Sequence, residues 1–254
     1  MQWSQLLNDQ RKPKSKQYQK DSNRSSFEQD FDRIIFSNPF RSLQDKTQVL
    51  PLPRHDFVHT RLTHSLEVSS VARSLGKIVG AGIIAKHPEL KDAGFTVEDF
   101  GAITAAAALA HDLGNPPFGH AGESAISDYF YSDPIAQNLR NEVSEKEWKD
   151  LISFEGNAQG FRILNKSNYQ GLQLTFATLG AFTKYPCESV FTGKDPNRKS
   201  QKKYGFYQCS RDIFAHMAEA TGLISLGDTT NYCWVRHPLS FLVEAADDIC
   251  YGII

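Results

Sequence analysis

The chain has 254 residues, of which 40% are hydrophobic and 22% are charged, and its formal net charge is -1. This composition is typical of globular proteins and excludes the disordered and fibrous classes. The near-neutral charge excludes a global field that would attract nucleic acid or an anionic membrane, but it leaves a local basic patch open.

A mainly α fold is predicted from the spacing of the apolar residues. We expect residues 1–26 to form a polar, flexible arm with a short helical turn from Trp3 to Leu7, and residues 27–254 to form one domain. A short strand is a candidate at 47–52, and residues 194–203 are expected to form a loop. Helices are predicted from Phe27 to before Asn38, from near Thr63, over 96–112, from near His120, and over 145–166, 210–222 and 238–254.

The last predicted helix is apolar up to Ile254 and has no glycine stop, basic last turn or polar tail. We therefore expect the domain to be truncated at this end and the natural chain to continue.

Neither a membrane anchor nor a secretory signal is expected. The first 20 residues are polar and basic, and we find no apolar run long enough to cross a bilayer. The four cysteines form no C-x-x-C pair, which argues against a cysteine zinc site. Reduced thiols and a cytoplasmic location fit this pattern best.

Polar residues occupy three positions where the helical pattern predicts an apolar core. His64 begins a buried stripe, His111-Asp112 ends a helix of small apolar residues, and Asp247 follows Val243 on an apolar face. Burying an unpaired carboxylate costs roughly several kcal/mol. A divalent metal would neutralise both carboxylates and accept both imidazoles, so the pattern predicts a metal site. The rest of the stripe that begins at His64 is Val68, Val71, Leu75 and Ile78.

Each polar position also has a simpler interpretation. A single histidine on an apolar helix face is more often a hydrogen-bonded core residue, an isolated His-Asp dipeptide is an equally weak signal, and a helical Asp can pair with Arg. The joint H…HD…D pattern, with every member facing inward, favours the metal site.

This H…HD…D pattern resembles the HD superfamily of metal phosphohydrolases, which implies a helical HD-domain fold. The surrounding segments resemble the bacterial dGTPase family in order over residues 27–254. These segments are FEQDFDRIIFSNPFRSLQDKTQVLPL, TRLTHSLEVS, AHDLGNPPFGHAGE, FEGNAQGFRIL, LGAFTKYP and HPLSFLVEAADDICY.

The resemblance implies a set of site residues. Its metal ligands fall on His64, His111, Asp112 and Asp247, and its catalytic pair falls on His120 and Glu123. Its nucleotide contacts fall on Gln48, Arg61, Asn157, Lys184, Tyr185, Lys203 and Tyr251.

Several of these residues have alternative interpretations. His120 could be a helix cap, and Glu123 could be a favourable acid in a first helical turn. Tyr251 could be a core aromatic, and Lys203 could belong to a solvated loop.

The activity that the resemblance implies is hydrolysis of dGTP, with other dNTPs as candidate substrates, to deoxynucleoside and intact triphosphate. It also implies one divalent ion per subunit, Mn²⁺ or Mg²⁺ first, with Fe²⁺, Ni²⁺ or Zn²⁺ as alternatives. A homo-oligomer is expected, such as a hexamer, and single-stranded DNA is a candidate partner.

Two other interpretations stay open. One is an HD phosphohydrolase acting on cyclic nucleotides or alarmones. The other is a non-enzymatic module that binds nucleotide or nucleic acid through the basic stretches 11–20 and 194–203.

Overall fold

A computed structural model describes residues 1–11, 24–46, 60–166 and 172–253. The described residues are mainly helical, with isolated β-bridges and no extended strand, so the predicted α class is confirmed. The helices are α1 (Trp3–Leu6), α2 (Ser26–Ile35), α3 (Asn38–Arg41), α4 (Arg61–Lys86), α5 (Pro88–Asp92), α6 (Val97–Ala110), α7 (His120–Ser132), α8 (Pro134–Gln137), α9 (Glu145–Leu151), α10 (Gly156–Asn165), α11 (Phe176–Phe182), α12 (Arg211–Ala220) and α13 (Ser240–Ile253). Short 3-10 turns occupy Ser42–Asp45, Asn138–Glu142, Lys199–Gln201 and Gln208–Ser210. The strand candidate at 47–52 lies outside the described residues.

Helix boundaries follow capping residues where the sequence supplies them. Thr96 and Asp99 form the expected capping box at the start of α6. Thr60 caps α4 through the backbone N–H of Thr63, so this helix begins earlier than predicted. The helix predicted over 145–166 is two helices, because Glu155 caps a new start at α10.

The centre of the core is the packing of α4 against α6. Thr104 donates a hydrogen bond to the carbonyl of Ala72, and Ser69 donates one to the carbonyl of Ala105. A Cβ at Gly76 would lie 2.2 Å from the Thr104 hydroxyl, so only glycine permits this approach.

The predicted buried stripe of α4 is therefore wrong at its far end, where Ile78 is 70% exposed. The helix turns a face of small residues inward instead, because close contact with α6 leaves no room for larger ones. The buried residues of α4 are Arg61, His64, Ser65, Val68, Ser69, Ala72, Gly76 and Gly80.

The expectation that no apolar run could span a bilayer needs a correction for α4. Its 26 residues are long and apolar enough by length and composition. Such a helix is weak evidence for a membrane span, because the core helix of a folded domain passes the same test. Here α4 packs against α6 and α13.

Residues at the start of the chain belong to the core, so the arm predicted over 1–26 is wrong for residues 1–11. Leu6 and Leu7 are buried, and the ring of Trp3 packs against Phe100. The Arg11 guanidinium pairs with the buried carboxylate of Asp30. Only part of this N-terminal segment is described, and residues 12–23 lie outside it.

Two of the four cysteines are paired. Cys187 and Cys233 face each other across an isolated antiparallel bridge, and their sulfurs form a disulfide. The expectation of reduced thiols is therefore wrong for this pair, while Cys209 and Cys250 are free. Spacing alone did not indicate the pair, because 46 positions separate the two cysteines.

Candidate metal and nucleotide site

Three helices bring His64, His111 and Asp247 together. His64 lies in the first turn of α4, His111 directly follows α6, and Asp247 lies two turns into α13. The Asp247 Oδ1 is 3.0 Å from the His64 Nε2 and 3.7 Å from the His111 Nε2. One donor atom from each residue lies within 4.8 Å of the others.

This donor set fits a divalent metal ion. Two imidazole nitrogens and a carboxylate oxygen are ligands that Mn²⁺, Fe²⁺, Ni²⁺ and Zn²⁺ accept. The Nδ1 of His111 is 2.6 Å from the carbonyl of Ala108, which places the proton on Nδ1 and leaves the Nε2 lone pair facing the cluster. These three residues would hold the ion.

Asp112 borders this cluster. Its Oδ1 is 3.5 Å from the His111 Nε2 and accepts a hydrogen bond from the Asn115 amide at 2.6 Å. Its Oδ2 pairs with Arg61 at 2.8 Å. Asp112, the expected fourth ligand, therefore lies next to the three clustered residues, and its role as a metal ligand stays a prediction.

The Asp247 carboxyl is held in its charged form. Burial raises the pKa of this carboxyl, but the hydrogen bond from His64 and the electrostatic interactions with the His111 ring and Lys184 lower the pKa by a larger amount, so the net pKa is below the ordinary value. An ionised carboxylate is the form that a metal binds.

The cluster opens into a cavity of about 870 Å³. Within the described part of the chain, every predicted site residue except His64 lines this cavity. His64 is buried and hydrogen-bonded with Asp247, which does line the cavity. Gln48 lies outside the described residues. The predicted residues in the lining are Arg61, His111, Asp112, His120, Glu123, Asn157, Lys184, Tyr185, Lys203, Asp247 and Tyr251.

His120 and Glu123 form a hydrogen-bonded pair at the cavity wall. The His120 Nδ1 is 2.7 Å from the Glu123 Oε2, and the His120 side chain is 84% exposed. The Glu123 Oε1 accepts the backbone N–H of Gly156 at 2.8 Å. Gly119 occupies the cap position of α7, so the interpretation of His120 as the cap is wrong.

Cationic side chains line the same cavity. The Lys184 ammonium is 3.2 Å from Glu244, which also pairs with Arg236. Burial lowers the pKa of Lys184, but Tyr185, Glu244 and Asp247 raise it more, so this lysine stays charged. Tyr251 is 73% exposed, so the interpretation of it as a core aromatic is wrong.

Three polar residues of the site were not predicted. Asn115 fixes Asp112, Glu244 holds Lys184, and Glu155 pairs with Lys203 at 3.1 Å. Each of them lies in one of the quoted segments, AHDLGNPPFGHAGE, FEGNAQGFRIL or HPLSFLVEAADDICY, so the resemblance offered a signal for all three. Glu244 is three residues before Asp247 and resembles any solvated helical acid.

Comparison with known proteins agrees with this geometry. Residues 61–152 match the HD domain family model. The chain is 48% identical over 262 residues to a deoxyguanosinetriphosphate triphosphohydrolase-like protein of Synechocystis sp., covering 100% of this chain and 59% of that protein. It is 45% identical over 258 residues to a protein of the same description from Pseudomonas aeruginosa, covering 100% of this chain and 56% of that one.

A third relative is the deoxyguanosinetriphosphate triphosphohydrolase of Salmonella typhimurium, which is 35% identical over 254 residues, or 89% of this chain and 48% of that protein. The chain thus spans about half the length of the curated relatives it matches.

The helical fold and the histidine–aspartate cluster define an HD-domain protein of the metal phosphohydrolase superfamily. Within that superfamily, the chain belongs to the family of deoxyguanosinetriphosphate triphosphohydrolase-like proteins.

Proposed function

We propose that the protein hydrolyses dGTP, and other dNTPs as candidate substrates, to the deoxynucleoside and inorganic triphosphate with the help of a divalent metal ion. One observation carries the proposal. The metal cluster, the His120–Glu123 pair and the cations Arg61, Lys184 and Lys203 all border one cavity. Its volume of about 870 Å³ falls within the usual range for nucleotide-sized ligands.

The cationic residues would bind and orient the triphosphate. Arg61 lies one turn before His64, and its guanidinium already pairs with Asp112 at 2.8 Å. Lys184 and Lys203 project from other segments of the cavity wall, so the three charges would offset phosphate charge from several directions. When bound, the metal polarises a phosphoryl group and lowers the pKa of a water molecule.

The His120–Glu123 pair would carry the proton transfer. With Nδ1 bonded to Glu123, the imidazole keeps its Nε2 for a proton exchange with the departing 5′ oxygen or the attacking water. The exposure of the His120 side chain leaves this nitrogen accessible to a substrate. Glu123 is itself fixed by the N–H of Gly156, which prevents the imidazole from rotating away.

Product analysis tests the reaction. The purified protein is incubated with each dNTP, and separately with cyclic nucleotides and alarmones, in the presence of Mn²⁺ or Mg²⁺. We expect deoxynucleoside and triphosphate from dGTP. Pyrophosphate plus monophosphate, or turnover of cyclic nucleotides or alarmones alone, would refute the proposal, and so would nucleotide binding without turnover.

The proton-transfer role has its own variants. His120→Ala should retain metal and bind dNTP but lose roughly 10²–10⁴-fold in kcat, because the imidazole acts in the transition state. Glu123→Ala should behave similarly, and the double variant should be little worse than either. A near-normal kcat in His120→Ala would refute the proton-transfer role of His120.

A further inference from the structure

The carboxylate of Glu155 holds Lys203, whose ammonium also lies 3.8 Å from Glu123 of the proposed catalytic pair. We propose that Glu155 is a positioning residue that keeps the Lys203 ammonium away from Glu123 and so preserves the His120–Glu123 hydrogen bond. The inference rests on the proposed function, because it concerns the same proton-transfer pair.

The carboxylate of Glu155 is buried and fully engaged. The residue is 5% exposed, and its Oε2 is 3.1 Å from the Lys203 ammonium. Its Oε1 accepts hydrogen bonds from the backbone N–H and the side-chain amide of Asn157, the latter at 2.7 Å. One carboxylate therefore holds both Lys203 and Asn157, two of the predicted nucleotide contacts.

The ammonium of Lys203 lies between the carboxylates of Glu155 and Glu123 and is closer to Glu155. Its ammonium is 3.1 Å from Glu155 and 3.8 Å from the Oε2 of Glu123. That same Oε2 is the atom that accepts the hydrogen bond from His120. A lysine that moved fully onto this oxygen would compete with the imidazole for it. The charge of Glu155 opposes that movement.

The backbone next to Glu155 makes the arrangement rigid. The Gly156 N–H binds the other oxygen of Glu123 at 2.8 Å. A Cβ at Gly156 would lie 2.1 Å from the Asn115 Oδ1 and 2.9 Å from the Glu123 Oε1, so this peptide sits directly against the pair. Glu123 therefore cannot follow a displaced Lys203 without breaking this contact.

A simpler role for Glu155 is to cap α10, since its side chain accepts the N–H of Asn157. Glu155→Gln separates the two roles. The glutamine oxygen can still accept that N–H, but the side chain carries no charge to hold Lys203. If Glu155 only caps the helix, Glu155→Gln should leave the hydrogen bond between His120 and Glu123 unchanged. If Glu155 positions Lys203, the same change should weaken that hydrogen bond.

The test compares the imidazole ¹⁵N resonances of His120 in the wild-type protein and in Glu155→Gln, together with kcat for dGTP. We expect the Nδ1 resonance to move toward that of a free imidazole. We also expect kcat to fall about tenfold, less than the roughly 10²–10⁴-fold loss of a whole acid–base group. In a Lys203→Met background, the same Glu155→Gln change should leave the resonance where it is, because the competing ammonium is gone.

Glu188→Gln is the matched control. Glu188 is also buried, pairs with a lysine, Lys146, at 3.4 Å, and accepts a backbone N–H, but its partners in the described part of the chain include neither Lys203 nor Glu123. The Glu188→Gln variant should leave the His120 resonance unchanged. Glu155→Asp keeps the charge and should retain a near-wild-type resonance, which keeps the test decisive even where Glu155→Gln does not fold.

Three results would overturn the proposal: an unshifted His120 resonance in Glu155→Gln, an equal shift with and without Lys203, or a shift in Glu155→Asp as large as in Glu155→Gln. The resonance does not depend on turnover. A wild-type protein that hydrolyses no dNTP but shows the expected shifts would refute the proposed function and leave the positioning role standing.

Discussion

His237 should make the stability of the protein sensitive to acid. The residue is buried just before α13, where its Nδ1 accepts the backbone N–H of Leu239 at 3.2 Å. Its Nε2 is 3.1 Å from the carbonyl of Leu6 and donates to it. Both ring nitrogens are therefore used by the neutral tautomer, and a second proton on Nδ1 would face the Leu239 N–H.

The size of the effect follows from the pKa. Burial lowers the pKa of His237 from 6.5 to about 4, and the hydrogen bond to Leu6 opposes only part of this. Because the folded-state pKa lies below the unfolded one, the stabilisation is complete above pH 6.5 and is lost as the pH falls toward 4. The difference between the folded and unfolded pKa of His237 corresponds to about 3 kcal/mol of the free energy of unfolding.

His237→Gln tests this by urea unfolding between pH 7 and pH 4. Glutamine can still donate to the Leu6 carbonyl but does not titrate, so the variant should be about 1 kcal/mol less stable at pH 7 through one lost hydrogen bond. Near pH 4 it should become the more stable protein. His87, whose side chain is 43% exposed, is changed to Gln as the control. A constant difference between wild type and His237→Gln across this range would refute the reasoning.

Three other perturbations have defined outcomes. Chelation should abolish activity and lower Tm in the wild type, whereas Asp247→Asn should contain little metal and show no further Tm loss on chelation. Gly156→Ala should lower activity because its Cβ would meet the Asn115 Oδ1 at 2.1 Å, while Gly82→Ala, with open space around it, should not; equal kcat values would contradict this. Burial raises the pKa of Asp150 to about 6, so the contribution of this carboxyl to stability should fall by about 3 kcal/mol as pH rises from 3.8 to 6. Because His237 contributes with the opposite sign in this range, the measured quantity is the difference in urea unfolding between wild type and Asp150→Asn, which should change by that amount.

Local signals in the sequence were enough to predict much of the site. The apolar spacing and the capping box at Thr96 determined α6 and placed His111 at its end. The inward-facing positions of His64 and Asp247 required a shared partner, and the structure brings their side chains to 3.0 Å. The juxtaposition of these side chains could be predicted because helix periodicity and the cost of a buried charge depend on residues close in sequence.

Only the tertiary structure decided the contacts between distant segments. Helix α11 was missed because all its residues are buried, which removes the periodicity that marks a helix. The packing of Leu6 in the core and the pairing of Glu155 with Lys203, 48 residues apart, leave no local pattern. Whether a polar residue is solvated or held in a site depends on which segments fold against it, and that is a property of the packed chain.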